Sequence, residues 1–170
     1  FIGSNIASAL SHLGADVVIS DRFRSGEKWK NLETVVIKDI VLPTDLSMWL
    51  SQNVDTLSGI VHMGAISATT ETDVDKILEN NFKLSSYLWE ISAQHNLPFI
   101  YASSAATYGD GDRGFDDVET LHAMSNLRPL NPYGWSKLLV DKLILLNVQN
   151  NRPAPPQWAG LKFFNVYGPN

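Results

Sequence analysis

The fold is decided by the opening stretch Phe1-Ile2-Gly3-Ser4-Asn5-Ile6-Ala7-Ser8-Ala9-Leu10-Ser11-His12-Leu13-Gly14-Ala15-Asp16-Val17-Val18-Ile19-Ser20-Asp21. Ile6, Leu10 and Leu13 recur at helical spacing, and Gly14 is placed to close that helix. The apolar run from Asp16 to Asp21 then reads as a short buried strand ending in a carboxylate. A glycine at a helix start, with an acid at a strand end about 20 residues later, matches the dinucleotide-binding unit. Its last glycine lets helix and strand pack closely, and its acid bonds a ribose. Gly3 and Asp21 occupy those two places. The strand and glycines that would come before them, and would cradle a pyrophosphate at the helix N-terminus, do not precede Phe1. The chain has no initiator methionine and ends just after a strand, so it is expected to be a piece of a longer protein.

Outward from that stretch, strands and helices alternate. Thr34-Val35-Val36-Ile37 reads as the next strand, and Thr44-Asp45 as the cap of a short helix carrying Leu46, Trp49 and Leu50. Gly59 to Ala65 is a strand whose small exit residues, Gly64 and Ala65, would let a flat ligand lie against the backbone. The hydroxyls and acids of Ser67 to Asp73 open a long helix through Ile77, Leu78, Leu84, Leu88 and Ile91. Asn80-Asn81 sits inside it, where asparagine is a mediocre former, which assigns Asn80 a task such as holding a loop. Phe99 to Ala102 is a strand delivering Ser103-Ser104. Asp110 to Arg128 lacks a period and reads as surface loop, with one helical turn near Glu119 to Ala123. A helix follows Asn131-Pro132, and Leu161 to Phe164 is the last strand. The pattern predicts an α/β fold with a Rossmann-type doubly wound parallel sheet, residues 1–170 being a partial NAD(P)-binding domain without its first strand.

Chemistry concentrates in Tyr133-Gly134-Trp135-Ser136-Lys137. Tyr133 and Lys137 lie four apart, on one helix face one turn from each other. An ammonium beside a phenol favours the phenolate, whose free pKa is about 10, and a tyrosine so tuned can trade protons with a sugar hydroxyl. A serine hydroxyl at a neighbouring strand end would hold the same oxygen. Arg22, directly after Asp21, is either a partner for a 2′-phosphate, which favours NADP over NAD, or an exposed loop arginine. Lys28 could reach the same phosphate.

Bulk properties narrow the class. A chain of 170 residues, 44% hydrophobic and 18% charged, is an ordinary globular domain. A net charge of −5 without a basic run argues against nucleic acid as partner. No apolar stretch approaches a membrane span, and no leader precedes the first helix, so a cytoplasmic protein without membrane partners is expected. Without cysteine there are no disulfides or thiolate metal sites. His12, His62, His95 and His122 have no metal-ligand spacing and read as structural or surface residues.

Five stretches, Phe1 to Asn5, Met63 to Glu71, Tyr101 to Gly109, Asn131 to Lys137 and Phe164 to Pro169, together resemble the extended short-chain dehydrogenase/reductase family that acts on nucleotide-sugars. The Thr69-Thr70-Glu71 run and Ala105-Ala106-Thr107 resemble its subgroup acting on an ADP-linked heptose. The resemblance implies Tyr133 as acid/base, Lys137 as the cofactor-ribose anchor and Ser104, the second of the serine pair, as hydroxyl holder. It further implies cofactor contacts from Phe1, Ile2, Gly3, Asp21, Arg22, Lys28, Met63, Gly64, Ala65, Ser67, Asn80 and Val166, beside Tyr133 and Lys137. Ser67, Ser104 and Asn165 are the implied substrate contacts. The implied cofactor is NADP, with NAD as the alternative, and the full-length parent is expected to be a homo-oligomer. Where the subgroup often has Asp-Asn after the second strand, this chain has Asp21-Arg22. A second acid/base lysine of the subgroup falls beyond Asn170. Ala105-Ala106 stand where dehydratases of the family carry a carboxylic acid, which disfavours dehydration. A UDP-hexose 4-epimerase and a non-catalytic dinucleotide-binding protein stay as alternatives.

Overall fold

The computed structural model describes residues 1–168, arranged as two compact units, residues 1–57 with the stretch from Val166, and residues 58–165. Pro169, the last residue of the C-terminal motif, lies outside the described residues.

In the first unit, α1 (Ile2–His12) leads into β1 (Val17–Ser20), and β2 (Ile37–Val41) precedes α2 (Leu46–Asn53). The Phe1 carbonyl starts α1 by accepting from Asn5 N–H and Ser4 Oγ. Gly14 ends the turn after it at φ +83°, a conformation that glycine adopts without strain. β1 and β2 pair in parallel, from Val17 opposite Ile37 to Ser20 opposite Val41. Ala7, Val17 and Val35 form the core, with Leu32 and Ile37 packed on it.

The second strand therefore lies at Ile37–Val41 and not at Thr34–Ile37. Val35 is drawn into the core while its N–H closes a turn on Leu32. Val36 is left 79% exposed, and the ladder takes up only from Ile37. α2 begins after Asp45 as expected, but the Asp45 side chain accepts no capping hydrogen bond.

In the second unit, β3 (Ile60–His62), β4 (Phe99–Ser104) and β5 (Trp158–Phe163) pair in that order, every ladder parallel. Between β3 and β4 runs one helical stretch: α3 (Val74–Ile77), a π-helical turn (Leu78–Lys83) and α4 (Leu84–Gln94). Asp73 caps it by accepting from Lys76 N–H. Glu71 accepts from Thr72 and Asp73 N–H and pairs with Lys76. The carboxylates of Glu71 and Asp73 before this helix thus do capping work. Between β4 and β5 come a 3₁₀ turn (Ala105–Tyr108), α5 (Leu121–Ser125) and α6 (Pro132–Gln149). β5 starts at Trp158 rather than Leu161. The Trp158 ring meets Trp89 edge-on at 5.5 Å, and its backbone pairs with Phe99. Parallel strands joined by helices are the α/β, Rossmann-type architecture.

Candidate active site

Two elements of the second unit carry the expected triad. β4 ends on Ser103 and Ser104, and α6 carries Tyr133 and Lys137 in its first turns. Asn131 caps α6 through its side-chain oxygen, 2.8 Å from Gly134 N, and Pro132 needs no N–H at that position. Gly134 decides how close the helix comes to the strand end. A Cβ at 134 would sit 2.5 Å from the Ala106 carbonyl oxygen, so only glycine lets α6 start against the turn after Ser104.

The serine pair is divided between two tasks. Ser103 Oγ donates to Asp141 Oδ2 at 2.7 Å and is committed inside the protein. Ser104 Oγ accepts from Ala106 N–H at 3.1 Å, and its proton has no acceptor among the described residues. Ser104 is thus the serine able to donate outward.

Lys137 is only 2% exposed, yet its ammonium donates to no described residue. Burial brings its pKa down to about 8, with the Asp141 carboxylate acting in the opposite direction. A buried cation without a hydrogen-bond acceptor is costly to fold. The arrangement makes sense if its partner is a bound molecule.

Sequence reading missed a second buried cluster one turn further along α6. Asp141 Oδ1 accepts from Tyr101 OH at 2.8 Å, and Oδ2 accepts from Ser103 Oγ and, at 2.6 Å, from Lys162 Nζ. Lys162 also donates to Thr107 Oγ1 at 3.0 Å, and Thr107 donates to the Ser104 carbonyl at 2.8 Å. Burial, then the Asp141 charge and hydrogen bond, push the Tyr101 phenol far above its usual value, so it stays a donor. Gly160 makes room for it, because a Cβ there would fall 2.3 Å from the Tyr101 oxygen. Two signals in the sequence pointed here: Asp141 follows Lys137 at helical spacing, and Lys162 interrupts an apolar strand.

The exit of β3 is held by Asn81 and not by Asn80. Asn81 is fully buried. Its Oδ1 accepts from Ile66 N–H at 2.8 Å, and its Nδ2 donates to the Ile66 carbonyl and to Ser136 Oγ, both at 3.0 Å. Asn80 instead donates to the Lys76 carbonyl one turn back. Asn81 thereby pins the Met63–Ser67 segment to α6, leaving Gly64 and Ser67 exposed and Met63 and Ala65 half-buried. Ser85 Oγ donates to the Asn81 carbonyl, so it must accept from His62 Nε2, 3.0 Å away. Burial, with the Lys137 ammonium adding to it, brings His62 down to about 3. His62 is a neutral, structural histidine.

In the first unit, Asp21 Oδ1 accepts from the Arg22 N–H at 2.6 Å and from Lys28 Nζ at 2.5 Å. The structure thus gathers Asp21, Arg22 and Lys28 at the end of β1, with the other Asp21 oxygen accepting from none of the described residues. Phe1, Ile2 and Gly3 form the start of α1, and the Phe1 ring lies near Gly168. Val166 is exposed, as is Asn165 at the end of the second unit. Ahead of Asn165, the rings of Tyr108, Phe115 and Phe164 stack or meet edge-on at 5.4 to 6.1 Å. They tie the 110–128 segment to the chain leaving β5, beside a cleft of about 290 Å³ lined by Tyr108, Asp116, Met124 and Lys162.

All 170 residues match the model of the NAD dependent epimerase/dehydratase family. The chain belongs to that family. It is 43% identical over 99% of its length to ADP-L-glycero-D-manno-heptose-6-epimerase of Fusobacterium nucleatum, of which it covers 50%. Among solved structures it is similar to the Helicobacter pylori ADP-L-glycero-D-manno-heptose-6-epimerase, with TM-score 0.74 and 31% identity over 99% of this chain and 53% of that one. It also resembles UDP-glucuronic acid 4-epimerase from Bacillus cereus in complex with NAD, with TM-score 0.77 and 26% identity over 99% of this chain and 54% of that one. The chain therefore spans about half the length of the relatives it matches.

The residues present fit the dinucleotide that the family name implies. Within one unit, the Lys137 ammonium is buried without a protein acceptor, as a ribose-hydroxyl donor would be. Within the other, the Asp21 carboxylate stands at a parallel strand's C-terminal end, where open α/β sheets bind ligands. Among the described residues there is no cluster of side chains able to hold a metal ion, and no helix is long and apolar enough to cross a membrane.

Proposed function

We propose that the full-length protein is an ADP-L-glycero-D-manno-heptose 6-epimerase, converting ADP-D-glycero-D-manno-heptose to its L-glycero form for lipopolysaccharide core. The observation that carries this reading is the buried, acceptor-free Lys137 ammonium one turn from Tyr133 on the helix packed against the Ser104 turn. The identity of 43% to the Fusobacterium protein supports the choice of sugar.

The nicotinamide cofactor, when bound, exchanges hydride with the sugar carbon C6″. Tyr133 takes the proton of the C6″ hydroxyl as that carbon is oxidised, and returns it after the sugar has turned and been reduced on the other face. Ser104, with its hydroxyl proton uncommitted, holds the same oxygen. Lys137 donates to the cofactor ribose and places positive charge beside Tyr133. Ala105 and Ala106 supply no carboxylic acid, so a neighbouring hydroxyl is not expelled.

Residues 1–170 serve as the cofactor-binding part. Phe1, Ile2, Gly3, Asp21, the Met63–Ser67 segment, Asn80 and Val166 contact the cofactor, and Ser67 and Asn165 the sugar. NADP is preferred over NAD through Arg22 and Lys28. The protein is placed in the cytoplasm as a homo-oligomer. A UDP-hexose 4-epimerase is the second reading, favoured by the TM-score of 0.77 to the Bacillus cereus 4-epimerase.

The test uses the full-length protein with ADP-D-glycero-D-manno-heptose, following the C6″ configuration by NMR. Conversion that Tyr133→Phe abolishes is the expected result. No conversion, with activity on a UDP-hexose, would replace the heptose reading by the second one.

A further inference from the structure

We infer that Asp141 is a positioning residue for the reaction, locking the helix that carries Tyr133 and Lys137 to the strand end that carries Ser104 and supplying the negative charge that holds the Lys137 ammonium. The inference rests on the reading of Tyr133, Lys137 and Ser104 as the reacting set.

The geometry begins with α6. Asp141 stands one turn after Lys137 on the same face, as Lys137 does after Tyr133. Its two oxygens reach across to both neighbouring strands: Tyr101 and Ser103 on β4, and Lys162 on β5. From Lys162 the path continues through Thr107 Oγ1 to the Ser104 carbonyl. One buried carboxylate, 3% exposed, is therefore tied to α6 by its backbone and to the Ser104 turn by two side chains. Rotation or sliding of α6 would break these bonds inside the protein, where lost partners cannot be replaced by water.

The charge argument follows from what surrounds Lys137 and Asp141. From β3 the facing titratable group is His62, held neutral. From β4 it is Tyr101, held protonated, and from the turn after β4 it is Tyr108, whose ring lies under Lys162 at 5.3 Å. From β5 it is Lys162 itself, already paired to Asp141. The π-helical turn and α4 contribute Asn81 and Ser85, which carry no charge, and α5 packs on α6 through Leu121 and Met124. On α6 itself, one turn before and one turn after Lys137, stand Tyr133 and Asp141. Asp141 is thus the anion among these groups that offsets the buried Lys137 ammonium.

The experiment compares full-length wild type, Asp141→Asn, Asp141→Glu and Tyr101→Phe, each with bound cofactor, by the pH dependence of kcat/KM. Asp141→Asn removes the charge and is expected to lower kcat with little change in KM, moving the alkaline limb down by about one pH unit. Asp141→Glu restores the limb in part. Tyr101→Phe removes a hydrogen bond but keeps the carboxylate, and leaves the limb in place. A wild-type limb in Asp141→Asn, or an equal displacement in Tyr101→Phe, overturns the inference. Should Asp141→Asn fold poorly with Lys162 stranded, Asp141→Asn with Lys162→Met removes the pair together and must show the same downward displacement. If the wild type converts no ADP-heptose, the proposed function fails on its own. In that event the Lys137 titration, read by 13C-lysine NMR and assigned with Lys137→Arg, still decides the role of Asp141: an unmoved titration in the Asn variant refutes it.

Discussion

At the scale of single residues, the site keeps a charge where folding alone would remove it. Lys137 falls from its ordinary 10.5 to about 8 because the folded chain buries its ammonium, a cost of about 3 kcal/mol at neutral pH. The unfolded chain holds its proton up to about 10.5 and the folded chain only to about 8. Stability therefore carries the full cost below pH 8 and regains it as pH rises to 10.5. Lys137→Met is expected to raise the stability of the cofactor-free protein at pH 7 by as much as about 3 kcal/mol, measured by urea denaturation, while turnover disappears. A Met variant less stable than wild type would mean that the ammonium is already well solvated.

At the scale of elements, the decisive contact is α6 against the turn after β4. Nothing but a glycine fits at 134, where a Cβ would lie 2.5 Å from the Ala106 oxygen. Gly134→Ala, although favourable for a helix by propensity, is expected to force α6 away from the turn and destabilise by about 1–3 kcal/mol. Because Tyr133 and Ser104 stand on opposite sides of this contact, kcat should fall more than stability predicts. Thermal melts and turnover measured on the same variant check this, and a fully active Gly134→Ala protein would show that the close approach is unnecessary.

At the scale of the molecule, buried polar groups shape the response to pH. His62 is held neutral down to about pH 3 and would take a proton near 6.5 in the unfolded chain. Between those values the unfolded state binds more protons, so stability falls as pH drops through this window, by about 1.4 kcal/mol per pH unit from this group. His62→Gln is expected to flatten that part of the stability curve in denaturation measured from pH 7 to pH 4. An unchanged slope would locate the acid sensitivity in other groups.

How much of this was legible in the sequence depends on range. Local pattern determined the helices, since i to i+4 apolar spacing and caps such as Asn131 and Asp73 act within a few residues. The Tyr133–Lys137 pair was legible for the same reason: both lie on one turn of one helix. The serine pair, too, was placed at its strand end by the apolar run before it. What lay beyond reach depended on contacts between distant segments. The strand at Ile37–Val41 was displaced from the apolar Val35-Val36 because Val35 was needed in the core beside Ala7 and Val17. Asn81 took the buried place instead of Asn80 through bonds to Ile66 and Ser136, since which of two adjacent helical residues points inward is settled by packing. Asp141, Tyr101, Thr107 and Lys162 look unremarkable one by one, and only parallel pairing of β4 with β5 under α6 assembles them. The sequence alone determined the local elements and the chemistry they carry, because those follow from neighbours along the chain. Tertiary structure decided which side chains are buried, paired and charged, because burial and long-range hydrogen bonds exist only once distant segments meet.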